Sequence, residues 1–304
     1  MKTKTKVSVG ILSLLCGILL VSPACTAGLF SIGTKKNTIE TQETFQSQYW
    51  ALLFAVGVYE GNPDAERPEM LEACDNLYAT LTDSSEFWQA GNIHTVKASQ
   101  ATLQNLIKEL LWLRKNSNNE DYVLVYLTTH GNHLYNTQGL PWDLPPKDEG
   151  DGSDEILVMY NGYSQWYGLI WDDLLNFFLS MIKCKGLCLI VDSCYSGGFK
   201  DPEYNAIPQN TYTAESFEAG LVEDLSVDGR IVLMSSMESE ISYGSFFSDG
   251  LIGGFQGWGD FFGNNDGINS AEEAYAVAKT YTELWSDQTP TIADGYSGEF
   301  PVTT

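Results

Sequence analysis

The segment GLCLIVDSCYSGGF, residues 186–199, carries the strongest indication of the fold. Its first residues are apolar without alternation, which is typical of a parallel strand buried on both faces. Its last residues are glycine and small polar side chains, which predict a turn. Asp192, Ser193 and Cys194 lie where the strand gives way to the turn. The pattern therefore places a carboxylate and a thiol together at the end of a buried strand.

Apolar runs alternate with segments of helical periodicity along most of the chain. The predicted strands cover residues 50–59, 92–98, 121–131, 185–194 and 229–236, and the predicted helices cover 70–81, 103–116, 171–182 and 270–285. This alternation predicts a mostly parallel central sheet with helices on both faces, an α/β fold of the three-layer α/β/α sandwich type. One domain over residues 49–304 accounts for all of these segments.

The N-terminal residues differ in composition from the rest of the chain. Three lysines precede an apolar run over residues 7–21, and small residues follow it, a pattern typical of a signal peptide. We expect residues 1–24 to be that signal, residues 25–48 to be a polar tether, and the protein to be exported, either secreted or attached to the cell surface. Cys25 leaves lipid anchoring open, and an uncleaved anchor helix is a further alternative, although the run is short for crossing a bilayer.

The chain is strongly acidic, with 40 acidic residues against 16 basic ones and a formal net charge of −24. This charge argues against nucleic acid and anionic membrane surfaces as partners. Membrane association is expected only through the N-terminal segment. The charge favours cationic partners, such as basic peptides or metal ions, with solubility alone as the alternative explanation.

A histidine ends the predicted strand over residues 121–131. Sites in parallel sheets form beyond the carboxyl ends of the strands, so we expect His130 to approach Cys194. A thiol needs a base or a cation to become a reactive thiolate, and histidine serves most often. Gly131 lets the backbone approach a developing oxyanion. His133, in the predicted loop, is the rival base, but no glycine follows it.

Two stretches around these residues carry a family resemblance. LTTHGNH (127–133) and VDSCYSGGF (191–199) resemble the His-Gly and Asp-Ser-Cys-x-Ser-Gly motifs of caspase-like cysteine peptidases. The Asp-Ser pair before the cysteine resembles metacaspases, whereas animal caspases have Gln-Ala at this point. Supporting similarities extend over most of residues 50–301. The resemblance implies a caspase-like fold.

The resemblance also implies the roles of individual residues. Cys194 would be the nucleophile and His130 the acid–base, and the amide N–H groups of Gly131 and Cys194 would form the oxyanion hole. In metacaspases, the aspartate two residues before the cysteine receives Lys or Arg at the cleaved position, and here that residue is Asp192. A carboxylate in such a pocket favours a paired cation. Asp75 is expected to be a second pocket carboxylate.

Further acidic residues are candidates for other roles. Glu238 and Glu240 can face the cleft, with a solvated acidic loop as the alternative. Carboxylates between the two motifs offer the hard oxygen donors that Ca²⁺ prefers. These candidate ligands are Asp148, Glu149, Asp151, Asp154, Asp172 and Asp173. Several metacaspases are activated by calcium, so the resemblance implies Ca²⁺ activation, with no cofactor required for the chemistry itself; a solvated loop is again the alternative.

The sequence therefore predicts an exported cysteine endopeptidase that cleaves peptides or proteins after Lys or Arg through a thioester acyl-enzyme. Family members often cleave themselves after the catalytic cysteine, and Lys200 is the only basic residue between Phe199 and Gly229. One alternative is a legumain-type peptidase with another specificity. The other is a catalytically inactive binding module at the cell surface.

The sequence also leaves the pairing of its cysteines open. An oxidising exterior makes a disulfide plausible. Cys74 can pair with Cys184 or with Cys188.

Overall fold

A computed structural model of the chain describes residues 47–83, 86–136, 138, 140–147, 152–195, 221, 225–235, 245–286 and 288–304, with the backbone alone at 194 and 195. Residues Phe45–Thr304 form one compact unit. The predicted signal peptide and nearly all of the tether lie outside the described residues. The same holds for several predicted site residues, namely Asp148, Glu149, Asp151, Lys200, Glu238 and Glu240.

Within the described ranges, an eight-stranded sheet forms the centre of the fold. Its strands are β1 (Tyr49–Ala55), β2 (Ile93–Lys97), β3 (Tyr122–His133), β4 (Glu155–Val158), β5 (Leu169–Trp171), β6 (Gly186–Tyr195), β7 (Arg230–Met234) and β9 (Thr291–Asp294). The strand order is β2-β1-β3-β6-β7-β9, with β4 beside β3 and β5 beside β4. The pairs within β2-β1-β3-β6-β7 are parallel, and β4, β5 and β9 are added antiparallel. The predicted mostly parallel sheet is confirmed.

Helices cover both faces of this sheet. They are α1 (Pro68–Asp83), α2 (Leu103–Asn116), α3 (Asp172–Ser180), α4 (Phe246–Gly253), the short α5 (Gly259–Phe262) and α6 (Ala271–Trp285). Alternate strand residues supply two cores, one packed with α2 and α3 and the other with α1, α4 and α6. A separate antiparallel pair, β8 (Asn269–Ser270) and β10 (Pro301–Thr303), lies at the start of α6.

Capping side chains set two of the helix starts. The Thr102 hydroxyl accepts the amide N–H of Asn105 before α2. Ser270 and Glu273 form the reciprocal capping box at the start of α6. Each cap satisfies amide groups that the first turn of a helix leaves without a partner, so both helices begin where the sequence predicts.

The end of β3 differs from the prediction. The strand continues through His133 because β4 pairs with it antiparallel, with His130 opposite Val158 and His133 opposite Glu155. The segment predicted as a loop is therefore a strand, and the added strand is what orders the backbone around His130.

Within the described ranges, three cysteines are unpaired and no helix is suited to cross a membrane. Cys74, Cys184 and Cys188 are free thiols. No described helix has both the length and the apolar character needed to cross a bilayer.

The first turn of α6 contains a carboxyl group, that of Glu272, whose pKa depends on folding. The amide of Phe300 donates to both carboxyl oxygens of Glu272, at 3.1 and 3.0 Å. Burial raises the pKa of Glu272 to about 7, with further contributions from Asp294 and Glu299. In the unfolded chain, the pKa is about 4.3. Between these values the folded state holds a proton that the unfolded state releases. The contribution of Glu272 to the free energy of unfolding is therefore fully present below about pH 4.3 and is lost as the pH rises through about 7.

We therefore predict that Glu272→Gln stabilises the fold more at about pH 8 than at about pH 5. The amide cannot ionise, and its oxygen still accepts from Phe300. Urea unfolding of both proteins at the two pH values measures the difference, with Glu86→Gln as an exposed control. An equal stability difference at both pH values would contradict the assignment.

Candidate active site

The register of the central strands places His130 beside Cys194. β3 and β6 pair in parallel from Tyr122 opposite Gly186 to Gly131 opposite Tyr195, and His130 is the partner of Cys194. Neighbouring strands lie about 4.8 Å apart. The structure therefore brings the two predicted catalytic residues to adjacent positions at the carboxyl end of the sheet, and it describes Cys194 through its backbone only.

The imidazole of His130 is held by a backbone carbonyl. Its Nε2 atom lies 2.8 Å from the oxygen of Ala65, and the ring is buried. A carbonyl oxygen only accepts, so Nε2 carries the proton and Nδ1 is the basic nitrogen of the neutral ring. Ala65 ends a 3₁₀ turn (Pro63–Ala65) in the loop between β1 and α1. This loop therefore selects the tautomer.

Aromatic rings cover the same imidazole. The Tyr59 ring stacks on it with centroids 5.0 Å apart and an interplanar angle of 26°. Tyr163 meets it edge-on at 6.4 Å. Sequence analysis missed both tyrosines and Ala65, because they lie in connections whose path depends on tertiary contacts. No short motif marks them.

The rival base, His133, has a different environment. Its Nδ1 atom lies 3.1 Å from Oε1 of Glu155, and both side chains are buried. The two residues are also partners in the register of β3 and β4. The prediction that His133 lies in a loop was wrong. It lies three residues beyond His130, which is the residue that pairs with Cys194.

Asp192 is a buried carboxylate at the end of β6. It accepts a hydrogen bond from the Ser248 hydroxyl in α4. Because that hydroxyl donates to Asp192, the Tyr126 hydroxyl donates in turn to Ser248, at 2.7 Å. Burial raises the pKa of Asp192, and hydrogen bonds from Ser248 and Ser235 oppose the rise. None of the ion pairs found among the described residues involves Asp192.

A second carboxylate follows Ser248 directly. Burial raises the pKa of Asp249, and the charges of Asp192 and Glu72 raise it further. Asp249 also lines a groove of about 500 Å³ between α1 and α4, with Asp83 on the α1 side. Sequence analysis did not identify Ser248 or Asp249, because nothing in their local pattern distinguishes them from ordinary helix residues.

The predicted second pocket carboxylate, Asp75, has another partner. Its Oδ1 atom lies 2.5 Å from Nζ of Lys97 at the end of β2, and its side chain is 62% exposed. No described contact joins it to Asp192, so its pocket role stays a prediction. Gly131 and Cys194 lie in the paired strands β3 and β6, and their oxyanion-hole roles also stay predictions.

The predicted calcium ligands are only partly described. Asp154 is buried and accepts the amide of Leu144, at 2.6 Å. Asp172 is buried at the start of α3 and accepts the amides of Glu155 and Asp173, at 3.3 and 3.0 Å. No group of three metal-ligating side chains occurs within the described ranges. Asp154 and Asp172 thus accept backbone hydrogen bonds, and the calcium site stays a prediction.

Comparison with known sequences supports the interpretation of these motifs. A sequence model of the metacaspase peptidase C14 domain matches residues 69–202, which include His130, Asp192 and Cys194. Metacaspase-1 of Candida albicans is 31% identical over 111 residues, and metacaspase-1 of Lodderomyces elongisporus is 30% identical over 111 residues. Each match covers 36% of this chain and 24% of the relative, so the chain spans about a quarter of the length of these curated relatives.

Comparison with solved structures supports the fold. Caspase-1 from Spodoptera frugiperda matches 91% of this chain and 98% of its own, with a TM-score of 0.53 and 12% identity. A protein from Geobacter sulfurreducens matches 84% of this chain and 100% of its own, with a TM-score of 0.52 and 16% identity. At this identity the likeness shows the fold alone, and that fold is caspase-like. Taken with the sequence matches, it makes the chain similar to caspase-like peptidases of the metacaspase type.

We predict that limited alkylation of the folded protein at neutral pH labels Cys194 in preference to Cys74, Cys184 and Cys188. Burial raises the pKa of Cys74 to about 12 and that of Cys184 to about 11, and it also raises the pKa of Cys188 well above its usual value. Thiolates are the reacting species, so these three thiols should react at least about tenfold more slowly.

Peptide mapping by mass spectrometry after brief iodoacetamide treatment measures the labelling. His130→Ala should slow the labelling of Cys194, and His94→Ala should leave it unchanged. Equal labelling of the four thiols, or no effect of His130→Ala, would argue against an activated Cys194.

Proposed function

We propose that the protein is an exported cysteine endopeptidase that hydrolyses peptide bonds after Lys or Arg. One observation carries the proposal: the strand register pairs His130 with Cys194, which lies two residues beyond Asp192 on β6. The family match supports cysteine peptidase chemistry and peptide or protein substrates. The specificity for basic residues and the export are the finer parts of the proposal.

The reaction begins with Cys194 as the nucleophile. Its sulfur attacks the carbonyl carbon of the substrate while the thiol proton moves to Nδ1 of His130. A tetrahedral intermediate forms, and its oxyanion accepts hydrogen bonds from backbone N–H groups, for which Gly131 and Cys194 are the candidates. The carbon–nitrogen bond then breaks, and the imidazolium gives its proton to the leaving amine. The acyl group stays on sulfur as a thioester.

Hydrolysis of the thioester reverses these roles. His130 takes a proton from water, the hydroxide oxygen bonds to the acyl carbon, and the carbon–sulfur bond breaks. The sulfur regains its proton, and the acyl group leaves as a carboxylic acid. The carbonyl of Ala65 supports both steps, since it holds the proton on Nε2 and reserves Nδ1 for the transfers.

Asp192 supports specificity for a basic side chain. A buried carboxylate without a cation is costly to ionise, and the raised pKa of Asp192 reflects that cost. A Lys or Arg side chain in the pocket would provide the missing charge and a charge-assisted hydrogen bond. The nearby carboxylate of Asp249 adds to the negative potential. An acidic substrate side chain would meet repulsion at the same place.

We predict that Asp192→Asn lowers kcat/KM for Lys- and Arg-containing fluorogenic peptides by about 100-fold, which corresponds to the loss of one buried charge-assisted contact. Because the pKa is raised, the ionised form appears at higher pH than for an ordinary aspartate. The KM of the wild type for a basic peptide should therefore fall as the pH rises through this range, and Asp192→Asn should remove that dependence.

Two controls frame this assay. Cys194→Ala should abolish turnover, and Asp266→Asn, which changes an exposed loop carboxylate, should have no effect. Preferential cleavage after Asn would favour the legumain-type alternative. No Cys194-dependent turnover of any peptide would favour the binding-module alternative.

Activation by Ca²⁺ is a further part of the proposal, supported by the acidic segment that precedes α3. Asp173 lies in the first turn of that helix, and its carboxylate can offer oxygens to a cation. The peptide assay, repeated with a calcium chelator and with added Ca²⁺, tests this part separately. Equal rates in both conditions would contradict activation by Ca²⁺.

We also predict self-processing after Lys200. If the pocket accepts a basic side chain, this residue is the one cleavable position in the polar segment between Phe199 and Gly229. Mass spectrometry of the purified protein should find a cut after Lys200 in the wild type. The same cut should be absent from Cys194→Ala and from Lys200→Gln, and its presence in Cys194→Ala would assign it to another protease.

A further inference from the structure

We propose that Tyr59 is a positioning residue for His130, fixing its backbone through the phenol hydroxyl and stabilising its protonated ring through the aromatic face. The inference rests on the proposed function of His130 as acid–base. It goes beyond that function because it assigns a role in the dyad to a residue of the β1–α1 loop.

The hydroxyl of Tyr59 lies where one neighbour of β3 ends and another begins. β1 pairs with β3 as far as Thr128, and the amide of Val56 donates to the Thr128 carbonyl at 2.9 Å. β4 pairs with β3 from His130 onward. At this junction the amide N–H of His130 donates to the Tyr59 hydroxyl at 2.9 Å. The Tyr59 side chain thus holds the backbone of His130 at the point where the neighbour of β3 changes from β1 to β4.

The direction of the hydrogen bonds at this junction follows from the acceptors. The Thr129 hydroxyl donates to the carbonyl of Val158, which can only accept. The Tyr59 hydroxyl, 3.1 Å from the Thr129 hydroxyl, therefore donates to it while accepting from His130. The chain of donors runs from His130 through Tyr59 and Thr129 to β4. Every hydroxyl in it both donates and accepts, so the arrangement defines one position for the tyrosine.

The ring of Tyr59 contributes a second, separate interaction. Its face stacks on the His130 imidazole at 5.0 Å, and Tyr163 packs edge-on against Tyr59 at 5.1 Å. The face of an aromatic ring carries partial negative charge and attracts a cation. The imidazole becomes cationic when it takes the proton of Cys194. The stacked ring therefore favours the charged form that appears during the reaction.

The turn before Tyr59 requires glycine. Gly57 has a φ of +62°, and a Cβ at this position would lie 2.7 Å from Cγ of Leu71. The amide of Arg67 donates to the Gly57 carbonyl at 2.8 Å. The loop that carries Tyr59 and Ala65 is thus closed at both ends, which supports a fixed position for the ring.

Other titratable groups lie near the imidazole among the described residues. Tyr163 contacts the ring, and β6 brings Cys194 alongside with Asp192 two residues before it. The His133–Glu155 pair lies further along β3 and β4. Substitution of Tyr59 leaves all of these groups in place, so a change in the titration of His130 would report on Tyr59.

Two substitutions separate the roles of the hydroxyl and the ring. Tyr59→Phe removes the hydrogen bonds and keeps the ring, so we expect kcat to fall about 3- to 10-fold with KM unchanged. Tyr59→Leu removes both, so we expect a larger fall in kcat, and the acid limb of the kcat/KM profile should move about half a pH unit or more to lower pH. Tyr275→Phe is the matched control, because it removes a tyrosine hydrogen bond to the Pro290 carbonyl at 2.6 Å in another part of the fold.

A readout that needs no turnover separates this inference from the proposed function. The chain has only three histidines, so the imidazole resonance of His130 can be assigned in the NMR spectrum by comparison with His130→Ala. Its titration midpoint should move to lower pH in Tyr59→Leu and stay unchanged in Tyr59→Phe and Tyr275→Phe. If the wild type cleaves no peptide, the proposed function fails and this titration alone decides the role of the ring.

The inference is overturned if Tyr59→Leu titrates like the wild type. It is also overturned if Tyr59→Phe retains the kcat of Tyr275→Phe in an active enzyme. Should Tyr59→Leu fail to fold, as judged by circular dichroism, the kcat of Tyr59→Phe decides the outcome.

Discussion

The pairing of β3 with β6 is the interaction on which the rest of the site depends. Parallel hydrogen bonding holds these strands together from Tyr122 to Gly131, and this continuous ladder fixes His130 beside Cys194. Side chains alternate between the faces of a strand, so a slip by one residue would move every side chain of β6 to the opposite face. The apolar residues before the site oppose such a slip, because Leu189 and Ile190 belong to different cores. Core packing thus sets the register that the chemistry requires.

The carboxyl end of the sheet also holds a buried carboxylate, that of Asp192, whose ionisation costs free energy. A buried carboxylate is unfavourable unless hydrogen bonds or a cation compensate it. Ser248 and Ser235 compensate Asp192 in part, and the pKa of the carboxyl group stays raised. The environment of His130 is different, since a carbonyl and two aromatic rings surround it. The candidate binding group, Asp192, and the candidate proton-transfer group, His130, therefore have separate surroundings.

The sequence predicted the parts of the structure that depend on local pattern. Continuous apolar runs predicted the parallel strands, and helical periodicity predicted α2 and α6. The antiparallel strands β4, β5 and β9 were missed, because they are short and are defined by the strands they pair with. The same reason explains the error at His133, whose strand conformation depends on β4.

The candidate site was predictable to a similar extent. His130, Asp192 and Cys194 follow from motifs at strand ends. Tyr59 and Ala65 do not, because their roles arise when the β1–α1 loop folds back over β3. Ser248 is also invisible in the sequence, since its hydroxyl meets Asp192 only after α4 packs against the sheet. The candidate binding and reacting residues follow from the sequence, whereas the residues that contact them required the structure.

A disulfide cross-link tests the register most directly. Partner residues on neighbouring strands have Cα atoms within the range that a disulfide spans. In His130→Cys, mild oxidation should join residue 130 to Cys194, and mass spectrometry of the digested protein should find the linked peptides. Asn132→Cys, two positions further along β3, should give no such link. A link from Asn132→Cys in the absence of one from His130→Cys would contradict the register and the active site built on it.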